Sequence, residues 1–217
     1  MHTVTGQRLV RMLELMLDHF GPQHWWPGET AIEIIVGAVL TQNTSWKNVE
    51  KAIESLKKEG LLSVKALYQI SPTKLAEKIR PAGYYRVKTG RLKNLIGFLM
   101  KTYDGNIPDL LKESTDVLRE GLLSVKGVGP ETADSILLYA AKRPVFVIDA
   151  YTHRILHRHG MIDENQADYY ELQALFADNL PEDTMIYNEL HALIVRTGKE
   201  YCRRKPLCGR CPLEKWP

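Results

Sequence analysis

The sequence predicts an all-α protein. Apolar residues recur at helical spacing along most of its 217 residues, and Ser, Thr, Asp, Gly and Pro stand where those patterns start and stop. Only Val145-Phe146-Val147-Ile148 is strand-like, and a single run of that length cannot found a sheet.

Each helix has its own justification. Leu9, Val10, Leu13, Met16 and Phe20 make the apolar stripe of a first helix, which Gly21-Pro22 stops. From Thr30 to Thr41 nearly every residue is apolar (Ile32, Ile34, Ile35, Val36, Ala38, Val39, Leu40), so this helix belongs inside a core. Ser45 is placed to cap the next helix, whose inward face carries Val49, Ile53 and Leu56 and whose end is Gly60. Short helices follow around Val64–Gln69 and Pro72–Ile79. Tyr85–Tyr103 is a long amphipathic helix with Leu92, Leu95, Ile96 and Leu99 inward. Asp116–Leu123, Pro130–Ala141, Asp149–His159, Gln166–Asn179 and Asp183–Thr197 complete the set, with no internal repeat and no Gly/Ser linker.

Composition narrows the setting. A hydrophobic content of 44% supports a packed core, and a net charge of +3 permits a polyanionic partner without demanding one. No apolar run approaches the roughly 20 residues of a membrane span. Met1-His2-Thr3-Val4-Thr5 has none of the regions of a signal peptide. A cytoplasmic monomer with no membrane partner is expected, nucleoid-associated in a prokaryote. Its three cysteines should be reduced unless a metal holds them.

Two segments point to chemistry. Leu123-Ser124-Val125-Lys126-Gly127-Val128-Gly129-Pro130 is a Gly-Val-Gly turn between two helices, with Pro130 suited to the first turn of the second. Such a helix-hairpin-helix offers backbone N–H groups to a phosphate at Gly127, Val128 and Gly129, with Lys126 adding charge, and holds register without reading sequence. Asp149 heads the helix that follows, where a carboxylate is equally an N-cap.

The pattern L-x-x-x-G-V-G-x-x-T-A followed by V-I-D-A-Y-T-H-R resembles the endonuclease III branch of the helix-hairpin-helix DNA glycosylases. The resemblance includes Ala38-Val39-Leu40-Thr41-Gln42-Asn43-Thr44, Pro81-Ala82-Gly83-Tyr84-Tyr85 and the C-terminal cysteines, and runs from about residue 25 to the end. It implies a two-lobed fold: a six-helix barrel over residues 26–134 that ends in the hairpin, and a second lobe of residues 1–25 with 135–217. Double-stranded DNA with a damaged base would lie across the cleft between the lobes, with Asp149 at its floor. The resemblance implies that Asp149 stabilises the oxocarbenium-like sugar and directs water. It further implies that Gln42 and Tyr84 enter the DNA stack, with Tyr85 the alternative to Tyr84.

Departures from the family pattern refine this expectation. Bifunctional members carry a Schiff-base lysine two residues after the second hairpin glycine, and here that residue is Glu131. A carboxylate forms no imine, so a monofunctional glycosylase without β-lyase activity is expected. Trp25, Trp26 and Trp46 flank the apolar helix ending near Gln42, similar to the 3-methyladenine glycosylases of this branch, which sandwich an alkylated purine between aromatic rings. Stacking a cationic methylpurine on indole contributes about 0.5–2 kcal/mol. The alternatives are a glycosylase for mismatched or deaminated bases, or a DNA-damage binder without catalysis.

Cys202-x5-Cys208-x2-Cys211-Pro212 reads as a metal site and resembles the 4Fe–4S loop of endonuclease III, spanning 202–217. Zinc is the other metal considered. The fourth cysteine of that loop would fall about six residues after Cys211, where Pro217 stands. Three alternatives follow: a sequence that is truncated here, a non-cysteine ligand that completes the set, or a cluster that is labile or lost. Arg203, Arg204, Lys205 and Arg210 interleave this loop and suit phosphate contact.

Overall fold

The computed structural model describes residues 3–25, 28–163 and 168–216. Trp26, Gln166 and Pro217, which the sequence analysis singles out, lie outside the described residues. The chain divides into two compact units, Met1–Trp26 with Pro144–Pro217 and, between them in sequence, Pro27–Arg143. No strand occurs among the described residues, and Val145–Ile148 has no regular structure; its Phe146 O accepts from Gln173 Nε2 at 2.7 Å.

Helix α1 (Val4–Phe20) opens the first unit. Thr3 caps it by accepting from Gly6 N–H at 2.9 Å, and it buries Leu9, Met12 and Met16.

The second unit contains eight α-helices. They are α2 (Ala31–Leu40), α3 (Trp46–Lys58), α4 (Val64–Gln69), α5 (Pro72–Lys78), α6 (Tyr85–Tyr103), α7 (Ile107–Lys112), α8 (Thr115–Leu123) and α9 (Pro130–Ser135). The centre is α2, apolar except for Glu33, whose carboxylate pairs with Lys57 at 2.9 Å. It packs against α3, α6, α9 and the turn that continues α9, and Ile35, Val36, Val39 and Leu40 are wholly buried. Burying it on every side is the only way to keep such a surface from water. Leu56 of α3, Leu67 of α4, Leu75 of α5, and Leu92, Leu95 and Ile96 of α6 complete this core. Thr30, Ser63, Ser71 and Ser114 cap their helices through side-chain oxygens, whereas Ser45 precedes α3 in extended backbone without a side-chain cap bond. Short α7 and the single 3-10 turn Arg80–Ala82 escape the periodicity argument because neither is long enough to show a period.

The expected helix Pro130–Ala141 is one helix in two geometries. After α9 the backbone widens into a π-helical turn over Ile136–Ala140, closed by Ala141 N–H to Ile136 O at 3.0 Å. All five residues of that turn are buried.

Returning to the first unit, α10 (Ala150–Arg158), α11 (Tyr169–Ala177) and α12 (Thr184–Glu200) join α1. Phe146 stacks on Phe176 at 3.8 Å between ring centroids and meets Tyr187 edge-on at 5.5 Å. Trp216 closes over α1: its Nε1–H donates to Arg8 O at 2.8 Å while the Arg8 guanidinium lies 5.4 Å from the ring. Helices α10 and α12 approach closely at Gly198, where the Tyr151 ring fills the space that a Cβ would need. Replacing Gly198 by Ala should therefore overpack this contact and cost about 1–3 kcal/mol, read as a lower urea midpoint at unchanged helical content. An unchanged midpoint would show that Tyr151 is free to move aside.

Candidate active site

The hairpin is built by backbone rather than by side-chain caps. At its start Val125 N–H donates to Leu122 O at 3.1 Å, and Val128 N–H donates to Val125 O at 3.0 Å. Gly127 takes φ +99°, a conformation that side chains disfavour, and the Arg91 stem lies where a Cβ would stand. Val128 is buried as the anchor of the turn, and its N–H is occupied within it. Lys126 and Gly129 are exposed. The flanking helices are tied by a fork: Arg119 of α8 donates from Nε and Nη2 to the two carboxylate oxygens of fully buried Asp134 on α9, at 2.7 and 3.0 Å.

Gln42 stands two residues beyond Leu40, the last residue of α2, and both the nitrogen and the oxygen of its carboxamide are engaged. Nε2 donates to Gly127 O at 3.2 Å and to Thr132 Oγ1 at 2.9 Å, and Oε1 accepts from Arg91. Asn94, one turn further along α6 than Arg91, donates to Lys126 O at 2.9 Å. The Gln42 segment and the hairpin thus share one polar network. Tyr84, by contrast, is 74% exposed and heads α6 in left-handed conformation, with φ 45°. Asn43, next to Gln42, is left-handed as well, with φ 53°. Neither is glycine, so the surrounding packing carries this strain at both segments. Trp46 is half-buried in the first turn of α3.

Lys88 is buried in the same unit, 1% exposed. Its Nζ donates to Leu40 O at 2.9 Å and Ala82 O at 2.7 Å. Burial, helped by the charge of Arg91, pushes its pKa down to about 8.

In the other unit, Asp149 caps α10. Its Oδ1 accepts from the Thr152 backbone N–H at 2.8 Å and from Thr152 Oγ1 at 2.9 Å, which orients the carboxylate. Oδ2 lies 3.8 Å from Nε2 of buried His191. Burial pushes the His191 pKa down against the opposing pull of Asp149, which favours a neutral ring. Lys199 is depressed by burial against the same pull of Asp149, and its Nζ stands 5.7 Å from the centroid of the Trp25 ring. Burial, then the charge of Asp149, raises the Tyr151 hydroxyl. The sequence analysis found Asp149 and Trp25 but missed His191 and Lys199. Their places on α12, some forty residues on, carry no local motif.

The three cysteines meet at one cavity of about 130 Å³, which Arg158, His159 and Glu214 also line. Cys202 is buried and its Sγ accepts from Arg158 Nη1 at 3.2 Å; Cys208 is exposed. Burial pushes the Cys211 thiol up, and Cys202, Cys208 and Glu214 add to this. Among the described residues no three His, Cys, Asp or Glu side chains stand close enough to bind one metal ion. A polynuclear cluster makes a different demand, because its thiolates surround a volume rather than a point. No helix among the described residues is long and apolar enough to cross a membrane.

Removing the guanidinium with Arg119→Met should take the two-pronged ion pair from fully buried Asp134 and destabilise the hairpin unit by about 3–5 kcal/mol. Equilibrium unfolding checks this, and a loss below about 1 kcal/mol would mean that other partners hold Asp134.

Known proteins place the chain. Residues 36–182 match the HhH-GPD superfamily base excision DNA repair protein family. A Methanocaldococcus jannaschii protein assigned to the DNA repair glycosylases is 50% identical over 212 residues, covering 97% of this chain and 96% of the relative. Endonuclease III of Thermotoga maritima is 30% identical over 182 residues, 83% of this chain and 79% of that enzyme. The crystal structure of the Helicobacter pylori 3-methyladenine DNA glycosylase bound to 1,N6-ethenoadenine superposes with a TM-score of 0.77 at 32% identity, over 90% of this chain and 97% of that one. Hairpin, helix order and these matches agree: the chain belongs to the HhH-GPD superfamily of base excision DNA repair proteins, in its endonuclease III branch, and is a DNA glycosylase.

Proposed function

We propose that this glycosylase is monofunctional and removes alkylated purines such as 3-methyladenine from double-stranded DNA. The observation that carries the proposal is Asp149, whose carboxylate is oriented through Oδ1 by Thr152, in a chain whose hairpin is followed by Glu131 where a bifunctional relative has lysine. With Oδ1 engaged, Oδ2 is the oxygen for the developing sugar cation. As the N-glycosidic bond breaks, its electron pair moves to the cationic base, which leaves neutral and needs no general acid. Water adds to the sugar carbon and Asp149 takes its proton. His191, its pKa pushed down by burial, stands 3.8 Å from Oδ2 without taking that oxygen in a charged pair.

The similarity to a 3-methyladenine glycosylase supports the alkylpurine reading, as do the aromatic side chains Trp25 and Trp46. Trp26 would join them in the base pocket. On the DNA side, Lys126 and the Gly127 and Gly129 backbone would seat on phosphate, Val128 serving instead as the buried anchor whose N–H stays within the turn, and Gln42 and Tyr84 would enter the stack. Exposed Tyr84, rather than Tyr85, suits that role. Cys202, Cys208 and Cys211 would hold a 4Fe–4S cluster in their shared cavity, where it would tie the C-terminal loop together without taking part in base release. A monomer acting in the cytoplasm or on the nucleoid fits this reading.

Duplexes carrying 3-methyladenine, 7-methylguanine, a G·T mismatch or thymine glycol separate the possibilities. Abasic sites should form on the methylated purines, strands should break only after alkali, and Asp149→Asn should slow release by at least about 100-fold. Nicking without alkali would end the monofunctional claim. Preference for the mismatch would favour the deaminated-base enzyme, and binding without release a damage binder. Purified protein should contain iron and absorb broadly in the visible; colourless, iron-free protein would remove the cluster from the proposal.

A further inference from the structure

Lysine is rarely buried, and Lys88 is buried to 1% exposure for a reason that the backbone supplies. Leu40 is the last residue of α2 and Ala82 the last of the 3-10 turn. Both carbonyls sit at helix ends, where no intrahelical donor remains, and a cation is favoured there by the helix dipole. One ammonium satisfies both, at 2.9 and 2.7 Å. Each carbonyl lies two residues upstream of a residue proposed to enter DNA, Leu40 before Gln42 and Ala82 before Tyr84. Left-handed backbone adjoins each pair: Asn43 directly follows Gln42, and Gly83 (φ 67°) and Tyr84 itself (φ 45°) follow Ala82. Along the same edge of α6, Arg91 then holds the Gln42 carboxamide.

We infer that Lys88 is a positioning residue for base extrusion: its ammonium ties the Gln42 and Tyr84 segments to one point and sets the distance between the two side chains that enter the stack. The inference rests on the function proposed above. A wedge acts only if it arrives where the base leaves, so ordering both segments before DNA binds removes that entropic cost from the encounter. Lys88 touches no DNA itself in this scheme. Its loss should therefore spare ordinary duplex binding, which the hairpin provides.

The test uses the full chain and a duplex with 2-aminopurine opposite a tetrahydrofuran abasic analogue, whose fluorescence rises when the orphaned base unstacks. Lys88→Met should bind undamaged duplex within about twofold of the unaltered protein, yet lose about tenfold of its preference for the abasic duplex together with most of the fluorescence rise. Lys88→Arg, which keeps donors and charge, should recover most of that signal. Gln42→Ala should cost much less in the Lys88→Met background than alone. If Lys88→Met does not fold, Lys88→Gln, retaining two N–H donors without charge, takes its place and should show a partial loss. An unchanged fluorescence rise, additive effects with Gln42→Ala, or a parallel fall of undamaged-duplex binding and melting temperature would each overturn the inference. If the unaltered protein releases methylated bases while the Lys88 variants behave in one of these ways, the function stands and only the role of Lys88 falls. If it releases no base and gives no fluorescence rise, both fall.

Discussion

The second unit depends on the burial of α2. Apolar except for Glu33, this helix has no broad face for water, so α3, α6, α9 and the π-helical turn surround it. Enclosure gives the core its largest stabilisation and creates one problem, a helix end with carbonyls that water cannot reach. Lys88 solves it with an ammonium that also holds the turn before α6. Accommodating the α2 terminus therefore places Gln42 beside the hairpin and Tyr84 at the head of α6.

The hairpin shows the same economy of parts. Gly127 is needed for its positive φ, and the space freed by the missing side chain is filled by the Arg91 stem. The guanidinium of that residue then reaches Gln42, and Gln42 returns to Gly127 O. The hairpin backbone proposed to seat on phosphate and the Gln42 side chain proposed to enter the stack are parts of one hydrogen-bonded group. A change in either reaches the other through covalent and polar contacts only a few ångströms long. Around Asp149 the organisation differs. Thr152 orients the carboxylate from its own helix, while α12 supplies His191 and Lys199 and so sets the charge that Asp149 meets.

Much of this was legible in the residues. Tyr85–Tyr103 and Val64–Gln69 form with the expected bounds because stripe and boundary signals coincide there. Asp149 is both cap and candidate catalytic carboxylate because one local geometry serves both roles. Elsewhere local signals misled. Ser45 stands where a cap belongs but makes no side-chain cap bond. Val145–Ile148 has strand composition but forms no strand, and Phe146 is instead a ring in a helical core. In α1 the buried residues are Leu9, Met12 and Met16, whereas Val10 and Leu13 are only partly covered, since the neighbouring helices decide which part of a broad stripe faces inward.

By itself the sequence determined the helices, the hairpin, the capped aspartate and the carboxylate at Glu131, because each is written within a few consecutive residues. Tertiary structure alone decided that Arg91 reaches Gln42, that Lys88 joins Leu40 to Ala82, and that His191 faces Asp149. These contacts join residues distant in sequence, set by how helices pack, and no local pattern encodes a packing angle.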